Sequence, residues 1–178
     1  ASDVYKRQEI FIPLTVGGGL RTLDDIRAVL KAGADKVALN TAAIQRPDLI
    51  SQAARMFGSS TIVVSIEAIK KPNGEYEAYT DNGRESTGIN AVEWAGRAAE
   101  LGAGEVLVTS IGREGTKKGF DLELLSKASN MLNIPIIASG GAGNLSHFQD
   151  GVKIGKAYAL LAASVFHFGK FSVREVKK

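Results

Sequence analysis

Two apolar runs that end in glycines carry the first chemical signal in this chain. Ile134 to Gly143 reads IPIIASGGAG, and Ile12 to Gly19, 122 residues earlier, reads IPLTVGGG. Ser139, Gly140 and Gly141 have almost no side-chain bulk, so backbone N–H groups there can approach an anion of phosphate size where a helix begins. A tight strand-to-helix turn would use the same residues. The repetition adds weight to the first reading, because the two stretches align without a gap from Ile12/Ile134 through Gly18/Gly140, Gly19/Gly141 and Leu23/Leu145 to Gly33/Gly155. Two related half-structures are expected. Glu67 follows the apolar run Thr61 to Ile66. A carboxylate at a strand end suits general acid–base work, and an exposed strand-end glutamate fits the residue types equally well. His147 and His167 sit in or beside apolar patterns and read as packed or helix-associated.

Composition narrows the field. With 178 residues, 44% hydrophobic and 23% charged, the chain has enough apolar material for one core. A net charge of +3 from 22 basic and 19 acidic residues is too mild to argue for nucleic acid. The absence of cysteine excludes disulfides, thiolate metal sites and a thiol nucleophile. Neither histidine has metal-ligand spacing, and neither a metal nor a cofactor is expected. No apolar run approaches the roughly 20 residues of a membrane span and no signal peptide is visible, so a cytoplasmic protein is expected. Residues 1–8, ASDVYKRQ, show no periodicity and read as a foreign segment. The rest, 9–178, reads as one domain whose sequence starts beside a core strand, as an N-terminally truncated fragment would.

The elements that must position these residues follow from periodicity. Six β-branched apolar segments recur: Ile12 to Val16, Lys36 to Leu39, Thr61 to Ile66, Glu105 to Thr109, Ile134 to Ala138 and Tyr158 to Leu161. Helical patterns alternate with them: one capped by Thr22 and stopped by Gly33, one from Pro47 and Asp48 to Gly58, then Ala91 to Leu101, Asp121 towards Met131, Leu145 to Val152, and one from Val173. Alternation of this kind implies a parallel sheet covered by helices. Between Ala68 and Gly88, Glu75 to Tyr79 alternate between the turn pairs Asn73-Gly74 and Asn82-Gly83, which predicts a hairpin excursion over about 69–88. The tips GGGLRT and GGAGNL lack the GxGxxG spacing of a dinucleotide fold. A small polar or glycine cluster follows each strand instead, as at the mouth of a (β/α)₈ barrel, of which six of eight units are expected here.

These clusters resemble, in order and spacing, the cyclase subunit of imidazole glycerol phosphate synthase, from histidine biosynthesis. The matching pieces are TVGGG (Thr15 to Gly19), GADKV and NTAA (Gly33 to Ala43), VVSIEA (Val63 to Ala68), GAGEVLVTSI with REGT (Gly102 to Thr116), IPIIASGGAG and LAASVFHF (Leu161 to Phe168). The resemblance implies a TIM barrel of the phosphate-binding type. It implies a heterodimer in which a glutaminase at the N-terminal face feeds ammonia to a bis-phosphate substrate, PRFAR, giving imidazole glycerol phosphate and AICAR. Gly19, Asn40 and Thr41 would hold one phosphate. Gly115, Gly141, Ala163 and Ser164 would hold the other, with Ser139 and Gly140 in the same clamp. Setting Ala163-Ser164 opposite Asn40-Thr41 requires one inserted residue after Gly155. Thr109 and Glu114 would lie near the substrate. Lys36 and Glu105 begin their strands, which suits either a solvated salt bridge or, by the resemblance, a charged ammonia gate.

The sequence departs from the family pattern in three places. The family's first catalytic aspartate lies on a strand these residues do not include, so the 178 residues alone are expected to be nearly inactive and of low stability. The second falls on Glu67, one methylene longer. In the later loop, Gly112 and Glu114 replace aspartates, and Arg113, Lys117 and Lys118 either steer an anion or form a merely basic loop. An alternative function therefore stands beside the cyclase: a non-catalytic relative that passes ammonia from a glutaminase to a surface-sugar amidotransferase. The sister isomerase of histidine biosynthesis shares the doubled barrel but fits GAGEVLVTSI and LAASVFHF less well.

Overall fold

The computed structural model describes residues 12–177. Residues 1–8, read above as foreign, lie outside that range. Six parallel strands form one curled sheet in the order β1 (Thr15–Gly17), β2 (Lys36–Leu39), β3 (Ile62–Lys70), β6 (Glu105–Ser110), β7 (Ile136–Ser139) and β8 (Ala159–Leu161). Two further strands, β4 (Tyr76–Thr80) and β5 (Glu85–Asn90), leave this path as an antiparallel hairpin on β3. Among the described residues β1 and β8 each pair on one side only.

Helices α1 (Leu23–Lys31), α2 (Thr41–Gln45), α3 (Asp48–Phe57), α4 (Ala91–Glu100), α5 (Leu122–Met131), α6 (Leu145–Lys153), α7 (Ser164–His167) and α8 (Val173–Val176) follow the strands. Their boundaries are local chemistry. Thr22 and Asp25 close a capping box on α1, and the three donors on Asp25 (the Arg21 and Thr22 amides and the Thr22 hydroxyl) hold its carboxyl below the usual range. Asn90, Asp121 and Asn144 cap α4, α5 and α6 with their side chains. Gly58, at φ +90°, ends α3.

Alternation along each strand divides the sheet into two faces. Val37, Leu39, Val64, Ile66, Val106 and Val108 are buried with the apolar faces of the helices, including Ile26, Leu49, Ile50, Leu124 and Leu125. Burial of each such side chain is worth about 1.5–3 kcal/mol, so this outer layer holds the fold together. Ala38, Ser65, Leu107 and Ile137, one position out of phase, face the concave side and line a cavity there.

The two glycine-tipped runs start their strands later than expected. Pro13 and Pro135 have no N–H to donate, and the Leu14 N–H is taken by the Asp35 carboxylate at 2.7 Å. Pairing then begins at Thr15 and Ile136. The internal repeat is visible in the register: Thr15 pairs with Lys36, and Ile137 with Ala159. The first strands of the two halves are thus 122 positions apart and the second strands 123. The added residue lies before Lys156, which at φ +57° stands where Gly33, at φ +110°, stands in the first half. The alignment of Gly33 with Gly155 is corrected accordingly.

The hairpin forms as its sequence predicts. Asp81, Asn82 and Gly83 all have positive φ in the β4–β5 turn, where Asn and Gly tolerate it best. Glu77 accepts from Lys71 at 2.8 Å, from the Ser86 hydroxyl and from the Gly88 amide, and these donors hold its carboxyl down to about 2.

Candidate functional site

Glu67 stands inside β3 rather than after it. The strand runs on to Lys70 because β4 pairs with its far end, Glu67 opposite Tyr79. On the other side Glu67 is in register with Thr109, and Thr109 with Ser139. Three polar residues thus lie side by side across β3, β6 and β7, at neighbouring-strand spacings of about 4.8 Å. The Glu67 carboxylate is half-buried and accepts the Gly83 backbone N–H at 2.8 Å, and the nearby Asn40 amide favours its charged form. Burial pushes its pKa up, the Gly83 hydrogen bond and the Asn40 amide oppose this, and the nearby charges of Glu114 and Asp81 add to it. A carboxyl raised in this way holds its proton to higher pH than an ordinary one and suits proton donation.

A cavity of about 780 Å³ opens at this carboxylate. Gly17, Gly18 and Gly19 form one wall, Asn40, Thr41 and Ala42 the next, and Glu67 the third. Gly18 and Gly19 have φ of +95° and +74°, and a Cβ on either would meet nothing within 4 Å. Backbone conformation rather than crowding therefore requires glycine at this tip, and the peptide groups are left open to the cavity. Arg21 is the one cation among the lining residues.

The second glycine tip is built differently. A Cβ on Gly140 would stand 2.8 Å from the Ser110 carbonyl oxygen, and one on Gly141 2.2 Å from that of Gly119. The Gly119 N–H donates to the Gly141 carbonyl at 2.8 Å. Loop 111–119, which carries Glu114 and Gly115, is folded directly onto these glycines, so close backbone approach accounts for them. Gly115 is exposed at φ +70° with open space around it, and Ala163 and Ser164 begin α7 beyond β8. Gly19, Asn40, Thr41 and Glu67 line the cavity together; Gly115, Ser139, Gly140, Gly141, Ala163 and Ser164 lie at the same end of the sheet but do not line it.

Lys36 and Glu105 occupy the opposite end of the sheet, where their side chains form an ion pair across β3. Four residues of strand, about 13 Å, separate the level of Glu105 from Glu67. His147 Nδ1 accepts the Gly143 N–H at 3.1 Å, and its ring packs beside Gly119. His167 is exposed, edge-on to the Phe168 ring. The hairpin turn supplies what sequence reasoning missed: Asp81, Asn82 and Glu85 also line the cavity, and Gly83 holds Glu67. The Asn82-Gly83 pair marked a turn without showing where it would fold.

The arrangement joins an open glycine tip to a raised carboxyl at the C-terminal end of parallel strands. The family model described as "Histidine biosynthesis protein" matches residues 5–172. The imidazole glycerol phosphate synthase subunit HisF of Alkaliphilus metalliredigens is 50% identical over 178 residues, 99% of this chain and 71% of the relative. That of Gluconacetobacter diazotrophicus is 53% identical over 99% of this chain and 69% of the relative. The chain belongs to the cyclase-subunit family of imidazole glycerol phosphate synthase. Membership in this family of enzyme subunits fixes the curled sheet as part of a TIM barrel, with Glu67 and the glycine tips at the end of the strands where such barrels work. Among the described residues no helix is long and apolar enough to cross a membrane, and no group of three His, Asp or Glu side chains could hold a metal ion.

Proposed function

We propose that this cyclase-family chain converts PRFAR to imidazole glycerol phosphate and AICAR, a lyase and cyclisation reaction fed with ammonia by a glutaminase bound at the Lys36–Glu105 end of the sheet. The observation that carries the reading is Glu67: a half-buried carboxyl with a raised pKa, held by the Gly83 N–H in a cavity whose other walls are a glycine tip and the Asn40-Thr41 turn. In this reading Glu67 moves a proton at the reacting centre. Gly19 and Thr41 receive one phosphate. Gly115, Gly141, Ala163 and Ser164 receive the other at the far end of a long substrate, which suits a doubled fold with one glycine tip in each half. Thr109 and Glu114 stand between them. The reaction calls for a second acid or base. General acid–base groups contribute about 10²- to 10⁴-fold each, so the 178 residues by themselves are expected to be slow.

A chimera tests the proposal: residues 12–177 replace the matching segment of the Alkaliphilus metalliredigens subunit, and PRFAR turnover is followed with ammonium salts as nitrogen source. Turnover that falls by about 10²-fold or more in Glu67→Gln is expected. A folded chimera that binds a glutaminase yet turns over nothing would refute the cyclase reading and favour an ammonia conduit to another amidotransferase.

A further inference from the structure

Asn40 Oδ1 is buried in the cavity wall and has no hydrogen-bond partner among the described residues. A buried acceptor left open in a candidate site requires an explanation. Asn40 occupies the position before α2 but makes no side-chain bond to that helix. Asn90 and Asn144, at the same position before α4 and α6, turn their Oδ1 atoms onto helix amides. Asn40 instead stands beside Glu67 in the cavity wall, where its amide favours the charged carboxylate, and its Oδ1 stays free. The reversed amide would set two acceptors face to face whenever Glu67 is ionised, so the Glu67 charge fixes the orientation. An amide oxygen only accepts, and so do the oxygens of an ionised phosphate. Oδ1 therefore has nothing to offer a phosphate and fits an O–H or N–H group.

We propose that the Asn40 side chain is a positioning residue for Glu67 and a specificity contact for a hydroxyl or N–H group of the ligand next to the phosphate, not a ligand of the phosphate itself. The inference rests on the cavity being a phosphate-ester site, as proposed above. The Gly18-Gly19 tip and the Thr41 turn remain for the phosphate, and Oδ1 then reads the carbon chain that the phosphate carries towards Glu67.

The test is titration calorimetry on the full 178-residue chain with two probes, inorganic phosphate and glycerol 3-phosphate, which adds hydroxyl donors. One added hydrogen bond predicts about fivefold tighter binding of glycerol 3-phosphate. Asn40→Ala should bring that ratio close to one and leave phosphate affinity unchanged. In the same variant the Glu67 carboxyl, followed by ¹³C NMR, should titrate higher, a change that lost packing alone does not produce. Asn40→Asp serves if Asn40→Ala does not fold: its carboxylate still accepts, so the preference should survive while Glu67 titrates higher still. A ratio unchanged in Asn40→Ala, an equal loss of both probes, loss of phosphate binding in Asn40→Asp, or an unmoved Glu67 titration would each overturn the inference while the phosphate site stands. Wild-type protein that binds neither probe would overturn both the site and the inference.

Discussion

Replacing Tyr76 by Phe removes one hydrogen bond from a buried network and leaves the ring in place. The Tyr76 hydroxyl donates to Asp121 Oδ1 at 2.9 Å, the Ser110 hydroxyl donates to Oδ2 at 3.1 Å, and the Leu124 N–H caps α5 on Oδ1 at 3.2 Å. Asp121 thereby ties the hairpin strand β4, the end of β6 and the start of α5 to one carboxylate. Tyr76 is 2% exposed and Asp121 8%, so water replaces the lost bond poorly. Hydrogen bonds to a charged group contribute about 1.5–3 kcal/mol. Two of the three donors survive in Tyr76→Phe, and the ring still lies 5.5 Å from the ammonium groups of Lys70 and Lys127. We therefore expect a loss of about 2 kcal/mol. The chain has one tryptophan, Trp94, buried in α4, and its fluorescence reports urea unfolding. With an m-value of about 2 kcal/mol/M the midpoint should fall by about 1 M. Asp121→Asn in the same background should show a coupling energy of about 1 kcal/mol or more. A midpoint shift below about 0.2 M, or two effects that simply add, would refute the reasoning.

The Glu67 pKa is raised in the folded state, so from the ordinary carboxylate value up to the raised one the folded chain keeps a proton that the unfolded chain releases. Stability from this group falls as pH rises through that window, and Glu67→Gln should gain on wild type there in urea titrations from pH 4 to 8; a gap that closes with pH contradicts this. Gly141→Ala would place a Cβ 2.2 Å from a backbone oxygen at φ +99°, whereas Gly19→Ala meets nothing. The first should cost more than about 3 kcal/mol and the second about 1–2 kcal/mol, and equal unfolding midpoints would show that loop 111–119 does not press on the second tip. Glu105→Gln leaves the Lys36 ammonium partly buried without its partner and should cost about 1–2 kcal/mol, with Lys36→Met beside it recovering most of that loss; additive losses in the thermodynamic cycle would rule out a working pair.

Much of the site was legible because its parts are local. The glycine tips, the Asn40-Thr41 turn and the strand-end carboxylate follow directly after apolar runs, and a parallel strand followed by a helix brings such residues to one end of the sheet whatever the details. The ion pair of Lys36 and Glu105 was foreseeable for the same reason, since both begin strands. The end of the Glu67 strand lies four residues beyond the expected Ile66 because the strand is prolonged by pairing with β4, a long-range event that periodicity does not encode.

By itself the sequence determined the alternation of strands and helices, the doubling of the chain, the hairpin and the family, all of which rest on short-range pattern and composition. Only the tertiary structure decided that the hairpin turn folds back sixteen residues to put the Gly83 N–H on Glu67, and that Asn40 caps no helix and leaves its Oδ1 without a partner in the cavity wall. It also separated two tips that look alike in sequence. Gly18 and Gly19 stand in open space, while Gly140 and Gly141 lie under loop 111–119. Both pairs need glycine, the first for its φ alone and the second for the backbone packed against it as well, and packing is a property of neighbours far apart in the chain.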